Sequence, residues 1–396
     1  MNKKIFIPIA LCVVIAIATI STCVGGSNKI KLEWQKISAS NTLADSIELK
    51  VYMENSGSMD AYMCSGSNLK DAVFDYVSDL KRNTISCSLF YINSTVIPRP
   101  DDLDSYIKNL TPASFAKAGG NRANTDLMKI FKEVMNRHGS KTVSIFVSDC
   151  ILDIPEGAID FFGQCQVSIK NTFNEALQKN PNLGVEIIKL DSKFDGYWYC
   201  GKNSTKLSNV KRPYYIWVIG DQKILSVLNK KVPVTEIIGG IKEYCAYSYP
   251  NPIPFDIDKK IYVINHMGKI NVQILMNLGE SLQLNSLIKK TNQFKSANPS
   301  QVTVISIEEI TAKNSDFTHV VELEIKNPET LRSESITFSY PRLATWVLES
   351  NDSTGTNIEN NMDKTTGILS LIQGVADAYK NGTDYGFVTF NLKNIK

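Results

Sequence analysis

The run Ile47-Glu48-Leu49-Lys50-Val51-Tyr52-Met53, followed at once by Glu54-Asn55-Ser56-Gly57-Ser58-Met59, restricts the possible folds of this chain more than any other stretch. Apolar, β-branched and aromatic residues in the first part predict a strand over 46–53. Beyond the turn, Leu69, Val73, Val77 and Leu80 are spaced for one buried face of a helix over 67–82. A strand, a small hydroxyl-rich turn and a helix form the carboxyl edge of an open α/β sheet, where ligands bind in a crevice.

Two distant segments carry matching chemistry. Thr125 stands in Gly119-Gly120-Asn121-Arg122-Ala123-Asn124-Thr125-Asp126, ahead of a helical period at Leu127, Ile130, Phe131 and Val134. Asp149 follows the buried-strand run Thr142-Val143-Ser144-Ile145-Phe146-Val147-Ser148. An acid-x-Ser-x-Ser turn with a later Thr and a later Asp resembles the metal-ion-dependent adhesion site of the von Willebrand factor A (vWA) family, over about residues 46–232. The resemblance implies a doubly wound α/β fold with a mostly parallel, Rossmann-like sheet. It also implies a Mg²⁺ site (or Mn²⁺ or Ca²⁺) with Ser56, Ser58 and Thr125 as direct ligands and Glu54 and Asp149 acting through water. Neutral oxygens leave such an ion electrophilic, so an acidic side chain of a protein partner completes its shell; that is adhesion chemistry, not turnover. Glu54 stands where the family usually has Asp, and Cys150 where it often has Gly. From the residues alone, a Ser/Gly turn capping a helix, with Asp149 hydrogen-bonded to it and no ion, is the alternative.

At the N-terminus, Lys3 and Lys4 precede an apolar run from Ile5 to Ile20, and Ile20-Ser21-Thr22-Cys23 follows. This pattern is a secretory signal over 1–22 that resembles a bacterial lipobox, with Cys23 lipidated; an uncleaved anchor helix is the alternative. Val24 and the lack of an acidic run after Cys23 favour an outer-membrane lipoprotein facing the periplasm, over a surface-exposed or inner-membrane one.

The 396 residues suggest two domains, and 43% apolar residues suffice for ordinary cores. A net charge of +3 with no basic helix argues against nucleic acid. Of eight Cys, the six after Cys23 show no zinc spacing. They are expected to be mostly buried thiols, with room for one bridge.

Residues 23–45 read as a linker, and strands alternate with helices through 46–232, the signature of a parallel sheet. Strands are expected at 85–92, 142–148, 184–190 and 214–219, an edge strand near Val96-Ile97, a short helix over 101–110, and an aromatic-rich insertion over 194–209. Pro233, Pro250, Pro252 and Pro254 mark a connector over 233–256. From 257 to 396 the period becomes two, predicting a β-rich, sandwich-like second domain with one helix over 366–379.

No catalytic constellation emerges. Ser56 and Ser58 lack a Gly-x-Ser-x-Gly elbow, His138 reads as a structural cation at a helix end before Gly139, and His266 and His319 lack ligand-spaced neighbours. Three classes stay open: metal-dependent protein capture, a metal-independent envelope scaffold or assembly protein, and a metal-assisted hydrolase.

Overall fold

The computed structural model describes residues 28–38, 47–99, 102–123, 125–249, 252–312, 315–379 and 384–395. The signal segment and the lipidation site Cys23 lie outside the described residues. Strand β1 (Lys29–Glu33) comes first, inside the stretch expected to be a linker. A seven-stranded sheet follows, built from β2 (Glu48–Glu54), β3 (Ser86–Ile92), β4 (Val96–Arg99), β5 (Thr142–Ser148), β6 (Leu183–Cys200), β7 (Asn203–Asp221) and β8 (Glu243–Tyr247), in the order β4-β3-β2-β5-β7-β6-β8.

This sheet corrects the doubly wound, mostly parallel expectation. Only β3-β2-β5 run parallel; β4, β7, β6 and β8 all join antiparallel. The cause is the stretch 194–209. Instead of forming an inserted loop, it extends two strands into one hairpin that turns at Gly201-Lys202, with Gly201 at φ +59°. A tight turn joins antiparallel strands only, whereas parallel neighbours need a long crossover. So β7 folds straight back along β6 and is the strand that pairs with β5. The supposed connector supplies the edge strand β8.

Helices cover both faces. On one side α1 (Asn68–Lys81), whose Leu69 N–H donates to Ser192 Oγ at 2.9 Å, buries Leu69, Val73, Val77 and Leu80 against Leu49, Val51, Val143 and Ile145. The expected helix over 101–110 is a single π-type turn at Asp104–Lys108, followed by α2 (Pro112–Ala116). On the other side α3 (Leu127–Asn136) and α4 (Phe161–Lys179) bury Phe131, Ile169 and Phe173 against Tyr52, Phe146 and Trp217. Helix α5 (Gln222–Lys231) returns to the first face through Leu225 and Leu228.

The rest of the chain builds two more antiparallel sheets. Their strands are β9 (Phe255–Ile257), β10 (Ile261–Val263), β11 (Lys269–Met276), β12 (Phe294–Ser296), β13 (Val302–Glu309), β14 (His319–Lys326) and β15 (Ser333–Ser339). Short helices α6 (Asn285–Ile288) and α7 (Thr345–Glu349) precede a two-residue parallel pair, β16 (Asn351–Asp352) and β17 (Thr365–Thr366); helix α8 (Ile368–Ala378) and strand β18 (Asp384–Ile395) close the described chain. One sheet runs β10-β1-β18-β15-β12 and the other β13-β14-β11-β9. Their inner faces share one core that includes Ile30, Leu32, Val272, Val321, Ile336 and Phe390.

The chain does not stay with these sheets, however. Between β15 and β18 it returns to the first sheet, where α7 and α8 share the core of α4. Two helices approach closely there: a Cβ on Gly374 would sit 2.7 Å from the Gln166 carbonyl oxygen and 2.8 Å from Ile169 Cβ. Ala normally outranks Gly in a helix by about 1 kcal/mol. Here the sign reverses, and Gly374→Ala is expected to lose about 2 kcal/mol in a urea titration because the helices must separate. An unchanged midpoint would show that the contact yields.

The six described cysteines are all free thiols, and Cys150, Cys165, Cys200 and Cys245 are buried. Among the described residues no helix is long and apolar enough to cross a membrane.

Candidate functional site

Parallel strands β2 and β5 end side by side, and the residues just past them make the site. Glu54 is the last residue of β2, and the Asn55 N–H continues the sheet pattern by donating to the Ile92 carbonyl at 2.8 Å. The chain then turns through Ser56 and Gly57 into a 3-10 helix, Ser58–Met63, before α1 begins. Helix start and hydroxyl turn are therefore separated by a short helix that periodicity did not reveal.

Four of the five expected ligands meet. Ser56 Oγ and Ser58 Oγ are 3.1 Å apart, and the two hydroxyls sit against Glu54 and Asp149 respectively. Ser148 Oγ donates to Glu54 Oε2, and Asp149 Oδ1 accepts from the Ile151 N–H at 3.3 Å. Glu54, Asn55, Ser56, Ser58 and Asp149 are all buried. The fifth, Thr125, stands on the loop before α3; its Oγ1 is buried and has no hydrogen-bond partner. Asp149 Oδ2 is in the same condition.

Arg122, three residues before Thr125, ties that loop to the turn. Its Nε donates to Asn55 Oδ1 at 3.1 Å, its Nη2 donates to the Ser56 carbonyl at 2.8 Å, and it forms an ion pair with Asp60. Asn55 Nδ2 in turn donates to the Phe115 carbonyl at 2.9 Å. The acid-x-Ser-x-Ser pattern does not mark Arg122, although an Arg inside Gly119-Gly120-Asn121-Arg122 is the residue of that loop best able to reach several carbonyls.

At both acids burial outweighs the groups that oppose it. Burial pushes Glu54 up to about 8, and its charged neighbours, Asp149 and Asp153, push the same way. Burial also raises Asp149, with Arg212 opposing. Buried carboxylates are costly unless a cation or donors compensate them.

No family model matches this chain, and no curated protein is detectably similar to it. What the residues can hold is therefore judged from their own chemistry. Two carboxylates and three hydroxyls make an all-oxygen set, which suits Mg²⁺, Mn²⁺ or Ca²⁺ rather than a soft metal. The unpartnered oxygens of Thr125 and Asp149, and a carboxyl at Glu54 that stays raised despite its hydroxyl donors, fit such an ion. Among the described residues no three His, Cys, Asp or Glu side chains gather, so the hydroxyls are indispensable to any such set.

Cys150 does not add a soft ligand. Burial drives its thiol pKa well up, and Sγ accepts from Trp217 Nε1 at 3.3 Å. Its φ of +57° is the left-handed conformation that glycine adopts most easily, so the backbone keeps a glycine-like turn despite the side chain.

The β6–β7 hairpin curls over this rim. Tyr199 packs on Gly57, at 3.5 Å from where a Cβ would stand, and the Gly201 N–H donates to Asp153 Oδ1 at 3.0 Å. Tyr197 and Tyr199 are exposed and stacked, with centroids 6.1 Å apart, while Trp198 between them is buried.

Proposed function

We propose that this chain is a cell-envelope lipoprotein, anchored through Cys23, that captures a protein partner at a vWA-like divalent-metal site formed by Glu54, Ser56, Ser58, Thr125 and Asp149. The observation that carries the reading is Asp149 Oδ2, buried with no partner beside the raised Glu54, together with a second buried and unpartnered oxygen, Thr125 Oγ1, on the loop that Arg122 ties to the turn. When bound, the ion supplies an electrophilic position that an acidic side chain of the partner completes. The chain's own residues do the rest. Ser56 and Ser58 present neutral oxygens, Arg122 ties the loop that carries Thr125 to the turn, and Glu54 and Asp149, whose ionisation burial opposes, would take up negative charge as an ion binds.

Thermal unfolding tests it. After chelation, Mg²⁺ or Mn²⁺ at a hundredfold excess over Kd is expected to add about 2.7 kcal/mol. In a chain of this size that is a rise of several degrees. Thr125→Ala and Asp149→Asn are expected to abolish the rise while leaving the metal-free melting temperature within a few degrees. A wild-type melting temperature indifferent to both ions would favour the metal-independent scaffold and remove the adhesion reading.

A further inference from the structure

The outer face of the β10-β1-β18 sheet departs from what water favours. Antiparallel sheets usually present polar side chains on their solvated face. On β10, Ile261 and Val263 instead point outward, 50% and 56% exposed, while Tyr262 between them is buried; Met267, in the following turn, is 60% exposed. In the register, Val263 is opposite Lys29 and Lys29 is opposite Ile395; Ile261 is opposite Lys31 and Lys31 is opposite Lys393. One row across the face thus reads Val263–Lys29–Ile395 and the next Ile261–Lys31–Lys393, mixing aliphatic and lysine side chains. Lys259 and Lys260 are exposed just before β10. Two acids lie among them: Glu33 accepts from both Lys31 at 2.9 Å and Lys393 at 2.6 Å, and Asp258 is 3.8 Å from Lys259, which leaves Lys29 and Lys260 without an acid partner among these residues.

The position of this face in the chain says what covers it. Asn28 O accepts from the Ile264 N–H at 3.1 Å, so the N-terminal segment leaves the fold beside β10. Cys23 lies six residues before Lys29. Whatever its path, a link of that length spans at most about 20 Å.

We propose that this face, built from Ile261, Val263, Met267, Lys29, Lys31 and Lys393, rests on an anionic phospholipid surface. The proposal rests on the anchor reading above but is independent of the metal site. Lysines beside a bilayer gain from anionic headgroups, and short aliphatic side chains enter the interfacial layer. The contact orients the whole chain on the membrane, which an acylated cysteine on a short tether does not do alone.

The test uses the full chain, purified in detergent and transferred to vesicles of phosphatidylglycerol and phosphatidylethanolamine or of phosphatidylcholine alone, with hydrogen exchange read by mass spectrometry. In the anionic vesicles, peptides covering 259–267 are expected to exchange about tenfold more slowly than in detergent, with a smaller effect in phosphatidylcholine. Peptides from the 196–207 hairpin are expected to stay unchanged. The double variant Ile261→Asn with Val263→Asn is expected to lose the protection, while unchanged exchange in α1 and β5 shows that it folds. Vesicle-bound chain with 259–267 exchanging as in detergent overturns the face and leaves the anchor standing. Failure to enter vesicles at all overturns both. Protection that survives in the double variant, or that follows protein concentration without lipid, also overturns the proposal, the last by making the face a contact between copies.

Discussion

Arg212→Met is expected to cost about 4 kcal/mol of stability, the largest loss foreseen for any single polar residue here. The side chain is buried on β7, and its Nη1 donates to three carbonyls: Asn361 at 3.0 Å, Met362 at 2.8 Å and Lys364 at 3.0 Å. These carbonyls belong to the Asn- and Thr-rich segment between β16 and β17. Lys189 pins the same segment from β6 by donating to the Asp363 carbonyl at 3.0 Å, and it also donates to Ser350 Oγ, just before β16, at 2.8 Å. Methionine matches the length but donates nothing, so the carbonyls lose their buried donor at about 1–3 kcal/mol each, eased by water entry. Arg212 also opposes the burial-driven rise at Asp149, so its loss adds to the charge imbalance of the site. Urea denaturation measures the effect. A loss below about 1 kcal/mol would mean that the segment rearranges freely and that Arg212 does not clamp it.

Glu186→Gln is expected to act in the opposite direction, stabilising the protein by about 3 kcal/mol at pH 8 and by nothing at pH 4. Glu186 is buried in β6. Its Oε1 accepts from Asn229 Nδ2 and from the Tyr244 hydroxyl, each at 2.6 Å, and its Oε2 has no partner. Burial pushes this carboxyl up to about 7 from an ordinary 4.5, with the two hydrogen bonds opposing. The unfolded chain then releases its proton near pH 4.5 and the folded one near pH 7. Between those values the native state binds more protons, so stability falls as pH rises through the window and stays lower above it. Glutamine keeps the acceptor and cannot ionise, which removes that slope. Denaturation of both proteins at pH 4 and pH 8 decides the matter: parallel pH dependences would show that Glu186 does not titrate in this window.

Both predictions concern residues that no local pattern marks. A lone Arg or Glu in an alternating strand looks the same whether it faces water or a core. Arg212 becomes a clamp only because a segment some 150 residues later lies over it. Arg122 belongs to the same class, its importance set by where the Asn55 and Ser56 carbonyls end up.

Short-range order was open to reading from the chain. The strand ending at Glu54, the helix from Asn68 and the fully buried run Thr142–Ser148 carry their periods in their own side chains, and the Ser-x-Ser turn and Asp149 fall at the strand ends where such residues converge. Strand direction was not open to reading in this way. A buried run such as Tyr214–Ile219 has the same alternation whether its neighbour is parallel or antiparallel, and only the two-residue turn at Gly201-Lys202 forces β7 to run backward beside β5. The return of α7 and α8 to the first sheet was equally hidden, because an amphipathic helix specifies that it must bury a face without naming the surface that receives it. Local periodicity therefore determined the long strands and helices and the hydroxyl turn, whereas the short strands β1 and β8, pairing direction, partner surfaces and the charge balance around Glu54 and Asp149 were decided by contacts distant in sequence.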